Sequence, residues 1–214
     1  MTMIKLDKLT ITKADNVIFN DLSYTFHYGN SYALMGTSGS GKSTLLNSIA
    51  GFEKFDSGDI YINNKKFIPN NQFYKLQLGY LFQNYGLIEN LSVEKNIDIG
   101  LAFKKISKKA KEQLIASLLK DLDTNIDLTR TTATLIGVEQ QRVALIRLLL
   151  KDSTVILADE PTGSVDKKNG EIILAKLLSF LNNKKIIIIA THDINIAKKC
   201  DVVLNIEDLK SNST

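Results

Sequence analysis

One cysteine, Cys200, occurs in 214 residues. That excludes a disulfide within the chain and suits a reducing compartment. Cys200 lies just before an apolar strand pattern and reads as a small core residue. No apolar run approaches the roughly 20 residues needed to cross a bilayer. Even Leu148-Leu149-Leu150 is closed off by Arg147 and Lys151. The start, Met1 to Asp7, is short and polar, so no secretory signal is expected. Internal repeats are absent too. Neither sign of charge dominates: 27 Lys and Arg against 23 Asp and Glu leave +4. The cluster Lys104-Lys105 and Lys108-Lys109 has no interleaved aromatics, so it reads as a solvated helix face rather than a nucleic-acid surface.

What is present is a phosphate loop. Gly36-Thr37-Ser38-Gly39-Ser40-Gly41-Lys42-Ser43 fits G-x-x-x-x-G-K-[ST], and Thr44 carries it into a helix. Tyr32 to Met35 reads as the strand before it, and Thr44 to Ala50 as the helix after it, ended by Gly51. Glycines let the backbone wrap closely, so that N–H groups can point at phosphate oxygens. The helix N-terminus adds partial positive charge at the same place. The pattern assigns Lys42 to the β/γ-phosphates and the Ser43 hydroxyl to Mg²⁺.

Taken in order, Met3 to Thr12 alternates apolar and polar residues and predicts a strand. Asp21 to His27 predicts another, with Leu22, Tyr24 and Phe26 on one face. Asp56-Ser57-Gly58 predicts a turn before a short strand over Asp59 to Ile62. Pro69 opens a short polar helix to about Gln77. Gly79 to Phe82 reads as a buried strand with Gln83 at its carboxyl end. From Val93 helical patterns dominate. Ser107 suits the N-cap of a helix over Lys108 to Lys120, with Leu114, Leu118 and Leu119 on one face. Asp121 to Ala133 has no readable period. Glu139 to Leu150 and Lys168 to Asn182 predict helices, and Thr154 to Ala158, Ile186 to Ala190 and Val202 to Ile206 predict strands. The tail from Lys210 reads as frayed.

Apolar strands alternating with helices predict an α/β fold, a parallel sheet covered on both faces. Such sheets bind ligands at the carboxyl ends of their strands. The phosphate loop, Gln83, Asp159-Glu160 and His192 each follow an apolar strand, so they are expected on one edge. Phosphoryl transfer needs a metal on the β- and γ-oxygens and a group to orient the attacking water. Asp159 fits the metal's shell and Glu160 the general base. His192 suits contact with a γ-phosphate and the water, or equally a helix-capping role. Gln83 suits Mg²⁺ or the water, or a polar loop.

These elements, in this order, resemble the ATP-binding domain of ABC transporters over nearly the whole chain. Gly36 to Ser43 matches Walker A, Gln83 the Q-loop, and Val155 to Glu160 Walker B with its catalytic glutamate. Gly163-Ser164-Val165-Asp166 matches the D-loop and His192 the switch histidine. Leu135-Ile136-Gly137-Val138-Glu139-Gln140-Gln141-Arg142 stands where the signature lies. Within the MacB and lipoprotein-releasing group, Gly79 to Asn84 and Ala158 to Ser164 look like the lactococcin-type bacteriocin export ATPases.

The resemblance implies a P-loop NTPase with a mostly parallel sheet core, an antiparallel β subdomain and a helical subdomain over roughly 84–150. One domain would span 1–214. ATP and Mg²⁺ are the implied ligands. Gly36, Thr37, Ser38, Gly39, Ser40, Gly41, Lys42, Ser43 and Thr44 would hold the nucleotide. Ser43, Gln83 and Asp159 would hold the metal, and Glu160, His192 and Gln83 would serve catalysis. Gly137, Glu139 and Gln140 would reach the ATP of a second ATP-binding subunit, like or unlike this one, paired head to tail. The other implied partner is an integral-membrane permease; nucleic acid is not expected. The implied location is cytoplasmic, peripheral on the inner face of the membrane through that permease. Export of a bacteriocin-like peptide or another amphipathic substrate is the implied task. Asn84 to Asn96 and the helices up to Ala133 would meet the permease. Tyr85, Leu87, Ile88 and Leu91 there read equally as docking surface or buried core.

Three features depart from the family pattern. Ile136 and Val138 replace a serine and a glycine of the signature. Ile136 cannot donate to a phosphate and is among the poorest helix caps. Losing one hydrogen bond to a charged group is worth about 1.5–3 kcal/mol, roughly 10- to 150-fold in rate. No aromatic stands near Lys13, where the adenine-stacking ring is expected. Phe19 is the nearest, and Lys13 could offer a cation to the base instead. Val165 replaces a common leucine. Two expectations follow: a weakened but working ATPase, or a subunit that lends one degraded site to an intact partner. The other readings are an ATP-gated regulator and a soluble ABC-type protein acting on nucleic acid or ribosomes. The last usually needs two such domains or a coiled-coil insertion, and this chain has neither.

Overall fold

The computed structural model describes residues 3–163 and 165–211. The chain opens with a hairpin of β1 (Met3–Lys13) and β2 (Asn16–His27). Its two turn residues, Ala14 and Asp15, have φ of 44° and 64°. Positive φ at both centres gives the twist that a two-residue hairpin needs. β3 (Ser31–Met35) follows, then α1 (Lys42–Ala50), β4 (Ser57–Ile62) and β5 (Lys65–Lys66). After β6 (Leu78–Leu81) come the helices α2 (Val93–Leu101), α3 (Lys108–Asp121) and α4 (Gly137–Lys151). The last third alternates: β7 (Val155–Asp159), α5 (Lys167–Leu178), β8 (Ile186–Thr191), α6 (Ile194–Ala197), β9 (Val202–Asn205) and α7 (Ile206–Ser211).

Two sheets result. One is antiparallel, in the order β2-β1-β4-β5. The other is wholly parallel, in the order β6-β7-β8-β3-β9. The expected parallel core with an antiparallel and a helical part is therefore present. Period two along the parallel strands divides their side chains between two cores. Val155, Leu157, Ile186 and Ile188 pack with α1 and the antiparallel sheet. Ile156, Ala158, Ile187 and Ile189 pack with α2, α3, α4 and α5. In register, Asp159 lies beside Ala190 and Met35 beside Thr191, so the strands end together along one edge.

Several local expectations need correction. β2 begins at Asn16, well before Asp21. Bulges at Lys8 and Asp21, both with positive φ, shift the pairing and erase the period-two signal there. Ser57 and Gly58 already belong to β4, and only glycine fits at φ 87° against the Lys8 carbonyl. The segment after Pro69 is helical from Asn71 and winds as a π-helix over Phe73–Gln77. The buried face of α3 carries Ile115 and Leu118, while Leu114 is exposed. Ile115, Leu118 and Leu122 recur at helical spacing, and Leu114 falls to the side of that stripe. β9 stops at Asn205, and the fully buried Ile206 starts α7. Lys210 lies within that helix, and the rest of the expected tail, 212–214, is outside the described residues.

The unreadable stretch from Asp121 to Ala133 is held by polar contacts far apart in sequence. Val93 and Glu94 donate backbone N–H bonds to the Arg130 and Leu128 carbonyls, each at 2.9 Å. Buried Asn96 accepts from the Ile88 N–H at 2.8 Å and donates back to its carbonyl at 3.0 Å. The Thr132 hydroxyl donates to the same carbonyl at 2.9 Å.

Candidate functional site

Between β3 and α1 the chain makes its phosphate loop. Gly41 has φ 105°, and a Cβ there would press on Ile18 and Phe19, so glycine is required. Gly41 is also the N-cap of α1 and offers no side-chain acceptor. The first-turn amides of α1 therefore have no capping side chain, and no acidic residue stands in that turn. Lys42 is buried; its Nζ donates to the carbonyls of Gly36 at 2.7 Å and Thr37 at 2.9 Å. The Ser40 hydroxyl is buried without a hydrogen-bond partner.

The loop forms one wall of a cleft of about 630 Å³, and Thr37 to Thr44, Gln83, Glu160, Gly163 and His192 all line it. Gly36 lies just behind, holding Lys42 through its carbonyl. The expected meeting of four segments on one sheet edge is what is found.

Asp159 ends β7 and is only 7% exposed. Burial pushes its carboxyl above the ordinary 3.8, opposed by a hydrogen bond from Ser43; Glu160 adds to the rise and Lys42 counters it. Its Oδ1 atom is buried without a partner. Asp159 and Gln83 share a more open recess with Asn47 next to the cleft. Glu160 has φ 47°, an uncommon backbone state for a residue with a side chain. Its N–H donates to the Ala190 carbonyl at 2.9 Å, which fixes the turn. Glu160 Oε1 lies 3.0 Å from His192 Nδ1 and 3.9 Å from Lys42 Nζ. His192 is 66% exposed, so it faces the cleft rather than capping a helix; Asp193 caps α6 instead.

Gly137, Glu139 and Gln140 lie outside this cleft, at the start of α4. Glu139 accepts the Ile136 N–H at 3.1 Å and pairs with Arg130 at 3.5 Å. The Gln140 amide donates to the carbonyls of Leu135 and Thr132. Ile136 is the N-cap, gives no side-chain bond, and is 65% exposed. Of the D-loop match, Gly163 reaches the cleft, Val165 packs on the helical core, Asp166 caps α5, and Ser164 is outside the described residues.

Phe19 is 1% exposed and belongs to the core, so it cannot stack on a base. Lys13 and Ile18 line the cleft at that end. Sequence reasoning missed Gln141, a buried residue of α4 whose amide donates to the Pro161 carbonyl and so ties the signature helix to the turn after Glu160. It also missed an aromatic stack. Tyr80 and Phe82, alternate residues after Gly79, stack at 4.2 Å, and both meet Phe52. The Tyr80 hydroxyl donates to Asn47 at 2.8 Å. Period two at Tyr80 and Phe82 was the available signal. This stack borders a groove of about 400 Å³ that also takes in Ile99, Phe103 and Arg147. Arg147 braces the Tyr85 and Gly86 carbonyls at 2.9 and 2.7 Å. Of the four expected docking residues, Tyr85 and Leu87 pack on the helical core and Leu91 is half-buried, while Ile88 is exposed; the groove adds exposed apolar surface on Phe52, Ile99 and Phe103.

Comparison with known proteins agrees with this geometry. The family described as ABC transporter matches residues 19–163. The lipoprotein-releasing system ATP-binding protein LolD of Buchnera aphidicola is 34% identical, over 89% of this chain and 86% of that protein. The macrolide export ATP-binding/permease protein MacB 2 of Yersinia pestis is 31% identical over 89% of this chain, which spans only 29% of that protein. A solved dimeric ATP-binding cassette in a post-hydrolysis state with ADP and Pi superposes with a TM-score of 0.83 at 30% identity, covering 94% and 93% of the two chains. Among the described residues no helix is long and apolar enough to cross a membrane. With its phosphate loop, its buried acidic strand end and its paired glutamate and histidine on one sheet edge, this chain belongs to the ABC transporter family as an ATP-binding cassette.

Proposed function

We propose that this chain binds MgATP in the cleft and hydrolyses it to drive a separate membrane permease in export. The convergence of the phosphate loop, Gln83, Glu160 and His192 on one cleft carries the reading. The loop amides and the first turn of α1 donate to phosphate oxygens. Lys42 exchanges its two carbonyl acceptors for β/γ-oxygens, and the Ser40 hydroxyl gains the partner it lacks. The residues fit a cation: the partnerless Asp159 oxygen and the burial cost of its charge are both relieved by one. Ser43, Asp159 and Gln83 would hold Mg²⁺, which supplies neutralisation of the β- and γ-oxygens. Glu160 takes the proton of the attacking water, and His192, 3.0 Å away, orients both.

A second subunit completes the site in this reading, because Gly137, Glu139 and Gln140 do not line their own cleft. The groove beside Phe52, Phe82 and Phe103 receives a cytoplasmic segment of the permease. The segment Asn84 to Asn96 and the helices up to Ala133 contribute to the part that meets it, within a helical subdomain over roughly 84–150 of one cassette spanning 1–214. That assembly holds the chain at the inner face of the membrane, and the cargo is a peptide or another amphipathic molecule. The test is calorimetry and turnover on purified protein. Lys42→Ala is expected to weaken MgATP binding about 10- to 150-fold. Glu160→Gln is expected to keep binding while turnover falls about 10²–10⁴-fold. Unchanged affinity in Lys42→Ala would overturn the reading.

One observation favours a weakened site. Ile136 stands exposed at the head of α4 with no donor to offer a partner's phosphate. Ile136→Ser with Val138→Gly is expected to raise turnover by about 10-fold or more. No change would mean that this helix start does not limit hydrolysis.

A further inference from the structure

Two consecutive residues of α4 reach across to the chain that follows Glu160. The Gln141 amide donates to the Pro161 carbonyl, on the residue next to Glu160. The Arg142 guanidinium donates to the Asn169 side-chain carbonyl at 2.6 Å. Asn169 passes the hold on: its side-chain amide and its N–H donate to the Asp166 carboxylate at 2.5 and 3.1 Å. One helix thus grips both ends of the chain from Pro161 to Asp166. Within that span the Gly163 N–H donates to the Glu160 carbonyl at 3.1 Å. Gln141 is 2% exposed and Arg142 half-buried. Gln141 Oε1 and Arg142 Nε are buried with no hydrogen-bond partner among the described residues. Plain packing would favour apolar side chains of the same size, which leave no polar atom unpaired. The turn itself needs a hold, because Glu160 sits at φ 47° and such a backbone state persists only where its surroundings enforce it.

We propose that Gln141 and Arg142 are positioning residues for hydrolysis, which aim the Glu160 carboxylate by clamping the chain behind it to α4. The inference rests on the hydrolytic reading above and adds how the general base is held. Neither residue lines the cleft, so neither touches the nucleotide. Gln141 acts one residue from Glu160, through Pro161, and Arg142 acts from the far end, through Asn169 and Asp166. Cutting the nearer bond lets the carboxylate wander from its water while the phosphate loop stays as it was. A misplacement of that kind costs rate and leaves binding alone.

The test is a cycle of variants on the purified chain with MgATP. Gln141→Met keeps the length of the side chain and removes its donor. It is expected to lower kcat about 10-fold while KM and MgATP affinity stay within about threefold. The same change made in the Glu160→Gln protein is expected to cost less than about twofold in single-turnover hydrolysis, because the group it aims is already gone. A merely structural role would not depend on residue 160. Arg142→Met frees the other end and is expected to show the same pattern at about threefold or more, which keeps the test open should Gln141→Met fail to fold. An equal loss with and without Glu160 would overturn the proposal. So would a folded Gln141→Met protein with unaltered kcat, or one whose loss lies in affinity. If Glu160→Gln itself left turnover unchanged, the hydrolytic reading would fall and the clamp's role with it, whereas a failure confined to the cycle removes the clamp alone.

Discussion

Two single residues show how local chemistry can run against or with the fold. Ala14 has no side-chain group to favour φ 44°, a region that costs an ordinary residue about 1–2 kcal/mol. Asn at the first and Gly at the second central position suit such a turn far better. Ala14→Asn with Asp15→Gly is expected to stabilise the protein by about 1 kcal/mol, about 2–4 °C by calorimetry. Asp201 does the reverse and adds support. It accepts from both the N–H and the hydroxyl of buried Ser31, at 2.8 and 2.6 Å, and so clamps β9 to β3. Those bonds, the hydroxyl's first, hold its carboxyl below the ordinary 3.8. A depressed carboxylate contributes stability that is complete above the unfolded value and is lost as pH falls through the folded one. Asp201→Asn is therefore expected to lower the melting temperature at neutral pH, and the gap to the unaltered chain should close on acidification below about 3.8.

At the scale of elements, α4 starts on a poor cap. Its N-cap is isoleucine, and only Glu139 reaches back, to the Ile136 N–H. Ile136→Ser is expected to add about 0.5–2 kcal/mol to stability by accepting a first-turn N–H, read as a higher melting temperature without nucleotide. This effect is separate from any gain in turnover. Elements were legible where one physical signal ruled. The phosphate loop, β7, β8 and the helix after Ser107 announced themselves by glycines, by unbroken apolar runs or by a cap. The bulge at Asp21 hid the start of β2, because it breaks the alternation on which recognition depends. The loop before α4 was opaque because Asn96 and Thr132 hold it through bonds to Ile88, and no local pattern encodes such a pairing. In the site, strand ends placed Gln83, Asp159, Glu160 and His192 on one edge, but Gln83 and His192 could be given roles only beside the phosphate loop and the Asp159-Glu160 pair. Gln141 and Phe52 were not readable, since only tertiary packing brings them to Pro161 and Phe82.

At the scale of the whole molecule, the cleft and the aromatic groove share a wall. Tyr80 and Phe82 line the groove, while Gln83, the next residue, reaches the cleft. Phe52→Asp with Phe103→Asp is expected to abolish co-purification with a membrane fraction while leaving MgATP affinity within about threefold, because neither ring touches the phosphates. Equal recovery in membranes would remove the groove as the docking place. The central strand carries a subtler consequence. Residues Ile186, Ile187, Ile188 and Ile189 are chemically identical, so sliding β8 one step would hand each core another isoleucine and cost little apolar burial. Yet that step would carry His192 about 3.3 Å from its station beside Glu160. Punctuation at the far end therefore has to hold the phase. Lys185 pairs with Asp152, its carbonyl accepts the Gly29 N–H at 2.7 Å, and Ile186 donates to the Thr154 carbonyl at 2.9 Å. A lysine at the opposite end of the strand from His192 thus keeps His192 and Glu160 in step, and Lys185→Ala should slow turnover while sparing nucleotide affinity.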